Sequence, residues 1–349
     1  MEVEPSNAVP HDALLFVSFG GPEGPEDVLP FLENVTRGRG VPAERLREVA
    51  GNYERLGGKS PLNEQNRALI RALEPELERA GLALPIYFGN RHWNPTLREA
   101  IGRMAADGVK RALAFVTSAY SSYSGCRAYL EDIERARAEV GVHAPPVEKL
   151  RAFWNHPGFV EPLAANVTRA LAAIPAERLG NAALAYTAHS IPVSMSENCD
   201  YLVQLREVQG LVDERVKPPV PSRLVFQSRS GPPGQPWLEP DILDHLEDLQ
   251  RLGTSDVVVA PIGFLSDHVE VVFDLDTQAL EKAVELGLHM VRADTVGTAP
   301  PFVHMIVELV RERLDPATSP RSLGSLGPRP MPCDADCCPA PRRPRPPAG

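Results

Sequence analysis

The stretch ALAYTAHSIPVSMSENCD (183–200) opens as a buried strand and places a histidine where the chain turns. Parallel strands read as unbroken apolar runs, and Leu184 to Tyr186 fits that description until His189 interrupts it. An imidazole with an ordinary pKa of ~6.5 serves there as a base, as a ligand to a divalent ion, or as a hydrogen-bonded structural group. A second set of groups follows a later strand. In FLSDHVEVVFDLDTQALEKA (264–283), Asp267, His268 and Glu270 meet the strand end, and Glu270, Asp274, Gln278 and Glu281 recur at helical spacing. That spacing describes either a solvated acidic face or a chemical one. Val269, Val271, Val272 and Phe273 alternate with the acids and must be buried, so some carboxylates are expected to be partly buried, raised in pKa and able to relay protons. The third set is the cysteines: Cys333, Cys337 and Cys338 lie within six residues of the tail, with Cys126 in SYSGCRAY and Cys199 elsewhere. Three thiolates lack one ligand for a Cys₄ set, for which Cys126 is the candidate and Cys199 a packing residue; structural zinc and free surface thiols are the general readings.

The elements that must position these groups follow from the apolar pattern. ALLFVSFGG (13–21), PIYFGN (85–90), RALAFVTSAY (111–120), ALAYTAHS (183–190), RLVFQSRS (223–230) and DVVVAPIGFL (256–265) read as strands. Helices lie between them, among them PTLREAIGRMAADG (95–108), with Pro95 in its first turn, and DILDHLEDLQRLG (241–253), ending at Gly253. Such alternation implies parallel sheets covered by helices. The halves also repeat each other. Residues 92–124 lie over 236–268, each with Trp, Pro, a helix closed by Gly, a strand and a Ser-bearing turn, and LLFVSFGGP (14–22) lies over LAYTAHSIP (184–192). One duplication predicts an α/β fold of two similar doubly wound, Rossmann-like domains whose parallel four-stranded sheets face a cleft. Ligands sit outside the carboxyl ends of such strands, which puts His189 on a wall of the cleft. The expected spans are 10–155 and 156–297 for the domains, 298–315 for a C-terminal helix and 316–349 for the tail. Rich in Pro, Ser and Arg, that tail is expected to be ordered only by a cross-link to the folded body.

A chain of 349 residues, 43% hydrophobic and 23% charged, is long for one core and comfortable for two. Its net charge of −10 argues against a nucleic-acid partner and is compatible with attracting a cation. No segment has the apolar length of a membrane span, and the acidic start MEVEPSNAVPHDA lacks the layout of a signal peptide. The expectation is a cytoplasmic protein without a membrane anchor. Two lobes around a cleft also describe a binding protein that closes on a ligand without chemistry, although such proteins are usually exported.

Taken together, LLFVSFGGPEGPEDVLPFLENVTRGRG (14–40), YERLGGKSPLNEQ (53–65), TAHSIP (187–192), FQSRSGPPGQPWLEPD (226–241) and PIGFLSDHVEVVFDLD (261–276) resemble the ferrochelatases, in the expected order. The resemblance implies a chelatase-like fold and insertion of Fe²⁺ into a porphyrin. By it, His189 and Glu270 face each other across the macrocycle as catalytic groups and contacts for the substrate iron. The likeness to members from high-GC Gram-positive bacteria implies coproporphyrin III as substrate and a [2Fe–2S] cluster on Cys126, Cys333, Cys337 and Cys338. The spacing C-x₃-C-C departs from that pattern, and Gln278 stands where a carboxylate is often found. Protoporphyrin IX, or insertion of cobalt or nickel into a related tetrapyrrole, are the alternatives. Metallation removes two pyrrole protons while the ion sheds water, so the site needs an acceptor and a relay, for which Asp274, then Asp276 and Glu281, are candidates. Propionates call for cations and donors: Arg37 and Arg39 in ENVTRGRGVP, Tyr53, Lys59 and Ser60 on a glycine-hinged loop, and Ser121 and Tyr123 in SAYSSYSG. The arginines also read as ordinary loop charges. Phe19 stands where some relatives carry a tyrosine on the product iron; it cannot ligate, which leaves His189 or water. The resemblance further implies a monomer in transient contact with neighbouring enzymes of haem synthesis.

Overall fold

The computed structural model describes residues 10–38, 40–231, 234–334 and 336–340. Strands β1 (Ala13–Ser18), β2 (Ile86–Asn90), β3 (Ala112–Val116) and β4 (Val147–Lys149) form one parallel sheet in the order β2-β1-β3-β4. Strands β5 (Ala182–His189), β6 (Ser222–Gln227), β7 (Asp256–Ala260) and β8 (His289–Arg292) form a second, β6-β5-β7-β8. The same order twice is what a duplication requires. β4 and β8 fall outside the six apolar runs because each is an edge strand of three or four residues, VEK and HMVR, half-buried or exposed along its length. The runs also overshoot. The chain turns after Ser18, and Gly20, at φ +88°, has no room for a side chain: a Cβ there would lie 2.9 Å from that of Asn90.

The first half carries α1 (Val28–Val35), α2 (Ala43–Arg55), α3 (Leu62–Arg79), α4 (Leu97–Ala106) and α5 (Ala128–Val140). The second carries α6 (Pro157–Ala172), α7 (Val193–Ser196), α8 (Tyr201–Val216), α9 (Ile242–Arg251), α10 (Val269–Phe273), α11 (Leu280–Glu285) and α12 (Pro300–Leu314). Pro95 lies outside α4, not in its first turn. The helix starts instead on a capping box in which Thr96 accepts from Glu99 N at 3.2 Å and Glu99 accepts from Thr96 N at 2.8 Å. Asp241 caps α9 by accepting from Leu243 N at 2.9 Å. Matching parallel bridges, Asn90 to Thr96 and Phe226 to Asp241, tie each second strand to the following cap.

One core runs through both halves, joining Leu14, Phe16 and Phe115 of the first sheet to Leu184, Tyr186 and Val258 of the second through Phe153, Phe159 and Phe302. The other face of each sheet has its own smaller core, Leu15 and Val17 with Ile101 and Ile133, and Ala185 and Val259 with Leu246 and Ala283. Each large side chain so buried stabilises by ~1.5–3 kcal/mol relative to exposure. The carboxyl ends of the sheets are thereby held in fixed relation. Hydrogen bonds join them as well: Tyr120 Oη donates to Ile262 O at 2.7 Å and Asp267 N to Gln65 Oε1 at 2.9 Å.

The first part of the tail, residues 321–327, is tied to the body by hydrogen bonds. Arg151 Nη2 donates to Arg321 O at 2.9 Å, Asn155 Nδ2 to Gly327 O at 2.8 Å, and Ser325 N and Leu326 N both donate to Glu207 at 2.8 Å. Backbone groups without a core found partners in three side chains of the body, Arg151 and Asn155 buried and Glu207 half-buried, which composition alone does not reveal. Among the described residues no helix is long and apolar enough to cross a membrane.

Candidate active site

His189 closes β5 with its side chain 32% exposed. Its Nδ1 meets Ser190 O at 2.5 Å, which fixes the proton there and turns Nε2 toward Glu270 Oε1, 3.6 Å away. Glu270 lies in the first turn of α10 and is 52% exposed, so this acid faces the open cleft rather than the core. Val269, Val271 and Phe273 are buried on the opposite face, while Val272, expected inside, is only half-buried. His268 caps α10 by accepting from Glu270 N at 3.2 Å through Nδ1. Gln227, at the end of β6, donates to Glu270 O at 2.9 Å and to Asp274 Oδ2 at 3.4 Å, and Ser228 Oγ donates to the same Asp274 oxygen.

The charges follow from this geometry. Burial lowers the His189 imidazole, but the charge and hydrogen bond of Glu270, with Ser190 O, outweigh it and raise it to about 9. Loss of solvent raises Glu270, and the His189 imidazolium outweighs that, bringing it down to about 2. Burial lifts Asp274 to about 7, helped by the Glu270 charge and opposed by the Ser228 hydroxyl. Burial lowers His268, which stays neutral. At neutral pH the site therefore holds an imidazolium, a carboxylate and a half-protonated acid.

Helix α10 runs through a π-helical turn, Asp274–Ala279, into α11. The wider turn breaks the regular spacing read from the sequence and leaves Asp274 beside Gln227 and Ser228. Asp276 is held by Arg292 at 2.5 Å and Glu281 by Arg55 at 2.6 Å, so both relay candidates beyond Asp274 are neutralised by guanidinium groups. Gln278 is exposed.

The facing wall is aromatic. Phe19, which occupies in the first half the position that His189 occupies in the second, is 36% exposed and packs on His92 at 4.5 Å and Phe31 at 6.2 Å. Phe31 in turn meets Tyr53 at 6.1 Å and Trp93 at 6.0 Å. Burial, then the Glu270 charge, pushes the Tyr53 phenol up. Arg37 is exposed after α1 with no partner among the described residues, and Arg39 lies outside the described residues. Lys59 is on Glu64 at 2.8 Å. Ser60 is buried against Gly21, Ser121 is buried on Gln204 from the other half, at 2.9 Å, and the Tyr123 hydroxyl donates to Glu131 at 2.9 Å. The sequence reading missed Gln227, Ser228 and Arg292; a polar Gln-Ser closing the strand next to the histidine-bearing one was the available signal.

The cysteines meet in two pairs. Cys126, buried in a π-helical turn, Tyr123–Arg127, is near enough to Cys333 to push its thiol up, and Cys337 Sγ lies 3.3 Å from Cys338 Sγ. Arg329 Nη2 donates to Cys337 Sγ at 2.9 Å. Among the described residues no three His, Cys, Asp or Glu side chains converge as a metal site.

Two like parallel sheets, a histidine and a carboxylate on one wall of the cleft and an aromatic wall opposite define a two-domain chelatase-like α/β protein. The fold is similar to that of SirB from Bacillus subtilis with Fe³⁺, with a TM-score of 0.52 and 12% identity over 87% of this chain and 96% of that one. The chain belongs to the ferrochelatase family, whose sequence model matches residues 11–314. It is 52% identical to the ferrochelatase of Rhodopirellula baltica over 97% of both chains. It is 49% identical to the coproporphyrin III ferrochelatase of Streptomyces coelicolor, over 97% of this chain and 96% of that one. To that of Nocardia farcinica it is 50% identical, over 95% and 98%.

Proposed function

We propose that this chain inserts Fe²⁺ into coproporphyrin III, with His189 and Glu270 as its catalytic residues. The observation that carries the chemistry is the imidazolium–carboxylate pair, 3.6 Å apart, opposite an aromatic wall. A flat macrocycle against this wall would stack on Phe19, which the buried Phe31 backs, with Tyr53 beside it and His189 across the ring. Arrival of a dication reverses the charge balance: Fe²⁺ beside the imidazolium expels its proton, and the freed Nε2 turns to the ring or to the iron. The expelled proton goes to Glu270, 3.6 Å away, and the two pyrrole protons follow it one after the other through Nε2 and Glu270 as the iron enters. Asp274, with a pKa of about 7, passes protons to water at the cleft mouth.

The substrate reading is supported by the names of the two actinobacterial relatives and by Arg37, an exposed cation after α1 suited to a propionate. Competition under anaerobic conditions tests it. Coproporphyrin III should be preferred over protoporphyrin IX by roughly tenfold or more in kcat/KM, a difference of about 1.4 kcal/mol. Arg37→Ala should raise KM for the tetracarboxylate more than for the dicarboxylate. Equal kcat/KM for both porphyrins would count against the assignment.

We further infer a [2Fe–2S] cluster on Cys126, Cys333, Cys337 and Cys338. Four thiolates are the ligand set such a cluster requires, and the contacts of Cys126 with Cys333 and of Cys337 with Cys338 support this reading. When bound, the cluster supplies a cross-link between tail and body and is not the site of insertion. The purified protein should be reddish brown, with about two irons and two acid-labile sulfides per chain. Serine at any of the four positions should bleach it, and Cys199→Ser should not. A colourless protein with one zinc per chain would contradict this.

A further inference from the structure

We infer that the first turn of α8 couples the cysteine tail to His189, with Tyr201 as the positioning residue; the catalytic consequence rests on the role proposed for His189. Tyr201 opens α8, is 7% exposed, and donates its hydroxyl to the His189 carbonyl at 2.9 Å. That carbonyl closes β5 where the chain turns, so the orientation of its peptide sets where the imidazole leaves the wall. The ring's Nδ1 is already committed to the carbonyl of the next peptide, Ser190. Both hydrogen bonds that aim the imidazole therefore depend on this one turn of backbone. Tyr201 is itself braced by Tyr120, edge-on at 5.9 Å, whose hydroxyl is bound to Ile262 O across the two halves.

On its other side Tyr201 is joined to the tail. Asp200 occupies the N-cap position of α8, yet its carboxylate caps no backbone amide. It is turned instead to Arg329 Nη1 at 2.5 Å, while Arg329 Nη2 donates to Cys337 Sγ at 2.9 Å. One guanidinium thus ties the position and charge of Cys337 to the residue adjoining Tyr201. If Arg329 withdraws, Asp200 is released to cap the helix, as Asp at this position favours, and the first turn carries Tyr201 with it. Chemistry at the tail reaches the cleft by this contiguous path, Cys337 to Arg329 to Asp200 to Tyr201 to His189.

The test uses the full-length protein with ¹⁵N-labelled histidine, reading the ring resonances of His189 alongside Fe²⁺ insertion kinetics and melting temperature. Tyr201→Phe keeps the buried ring and removes the hydroxyl. It should move the His189 resonances and lower kcat roughly tenfold, with KM for porphyrin within about twofold. Arg329→Gln should move the same resonances in the same direction by less, and combining it with Tyr201→Phe should add little, because both act on one path. Asp200→Asn, which breaks the pair from its exposed side, should reproduce Arg329→Gln, and Arg329→Lys should restore part of the effect. Unmoved resonances in Tyr201→Phe, or in both Arg329→Gln and Asp200→Asn, with native melting would overturn the coupling. Moved resonances with unchanged kcat would uphold the coupling and instead remove the catalytic role from His189.

Discussion

Replacing His189 with alanine should abolish Fe²⁺ insertion, a loss of roughly 1,000-fold or more, while coproporphyrin III still binds within about twofold of wild type. The ring is held by Phe19 and Tyr53, backed by the buried Phe31, and by its carboxylates, so the imidazole adds little to binding. Its contribution comes when the dication arrives, because only a group that can lose a proton and expose a lone pair at Nε2 serves the pyrrole nitrogens or the iron. Insertion is read from the loss of the free-base absorption bands and binding from quenching of porphyrin fluorescence. Near wild-type turnover would remove His189 from the chemistry, and equal losses of binding and turnover would make it a pocket wall.

Glu270→Gln keeps the shape and removes both the acceptor and the charge that holds the imidazolium. Turnover should fall roughly 100-fold or more. The pH profile should move as well. Without Glu270 the burial that lowers His189 is opposed only by Ser190 O and Asp274, so the imidazole, at about 9 in the wild type, titrates lower and a limb of the profile shifts toward acid. Stability is affected in definite windows. His189, raised in the folded state, contributes stability that is full below pH 6.5 and lost as pH rises through about 9. Glu270, lowered, contributes stability that is full above its ordinary 4.5 and lost as pH falls through about 2. Both side chains are partly exposed, so solvent screening limits the pair to about 1 kcal/mol. Melting near pH 7 should therefore change little while turnover collapses. An unchanged pH–rate profile would show that the proton goes elsewhere.

The alternation of apolar runs and helices, and the repeat of one half on the other, were enough to reach two parallel sheets, because six strands are long enough to carry an apolar run. β4 and β8 were not legible: an edge strand of three or four residues is specified by the neighbour it pairs with, Val147 on Ala112 and His289 on Asp256, not by its own pattern. His189 stood out as a titratable group closing a buried run, and Glu270 was singled out from its acidic neighbours by the family resemblance. Their surroundings did not. Gln227 and Ser228 meet Asp274 across 46 or 47 residues of chain, and Arg55 meets Glu281 across 226. The π-helical turn at Asp274 also defeats a reading that assumes one helical period. In the tail, composition spoke for disorder while Arg151, Asn155 and Glu207 supplied the backbone partners that composition cannot contain.

The most direct measurement is anaerobic incubation of the purified protein with coproporphyrin III and, in parallel, Fe²⁺, Co²⁺ or Ni²⁺, followed by absorbance with His189→Ala as the blank. Rapid, protein-dependent conversion of the free base to Fe-coproporphyrin III, fastest with Fe²⁺ and absent in the blank, is the expected result. No conversion above the blank with Fe²⁺, or faster insertion of cobalt or nickel, would contradict the assignment of this chain as a coproporphyrin III ferrochelatase.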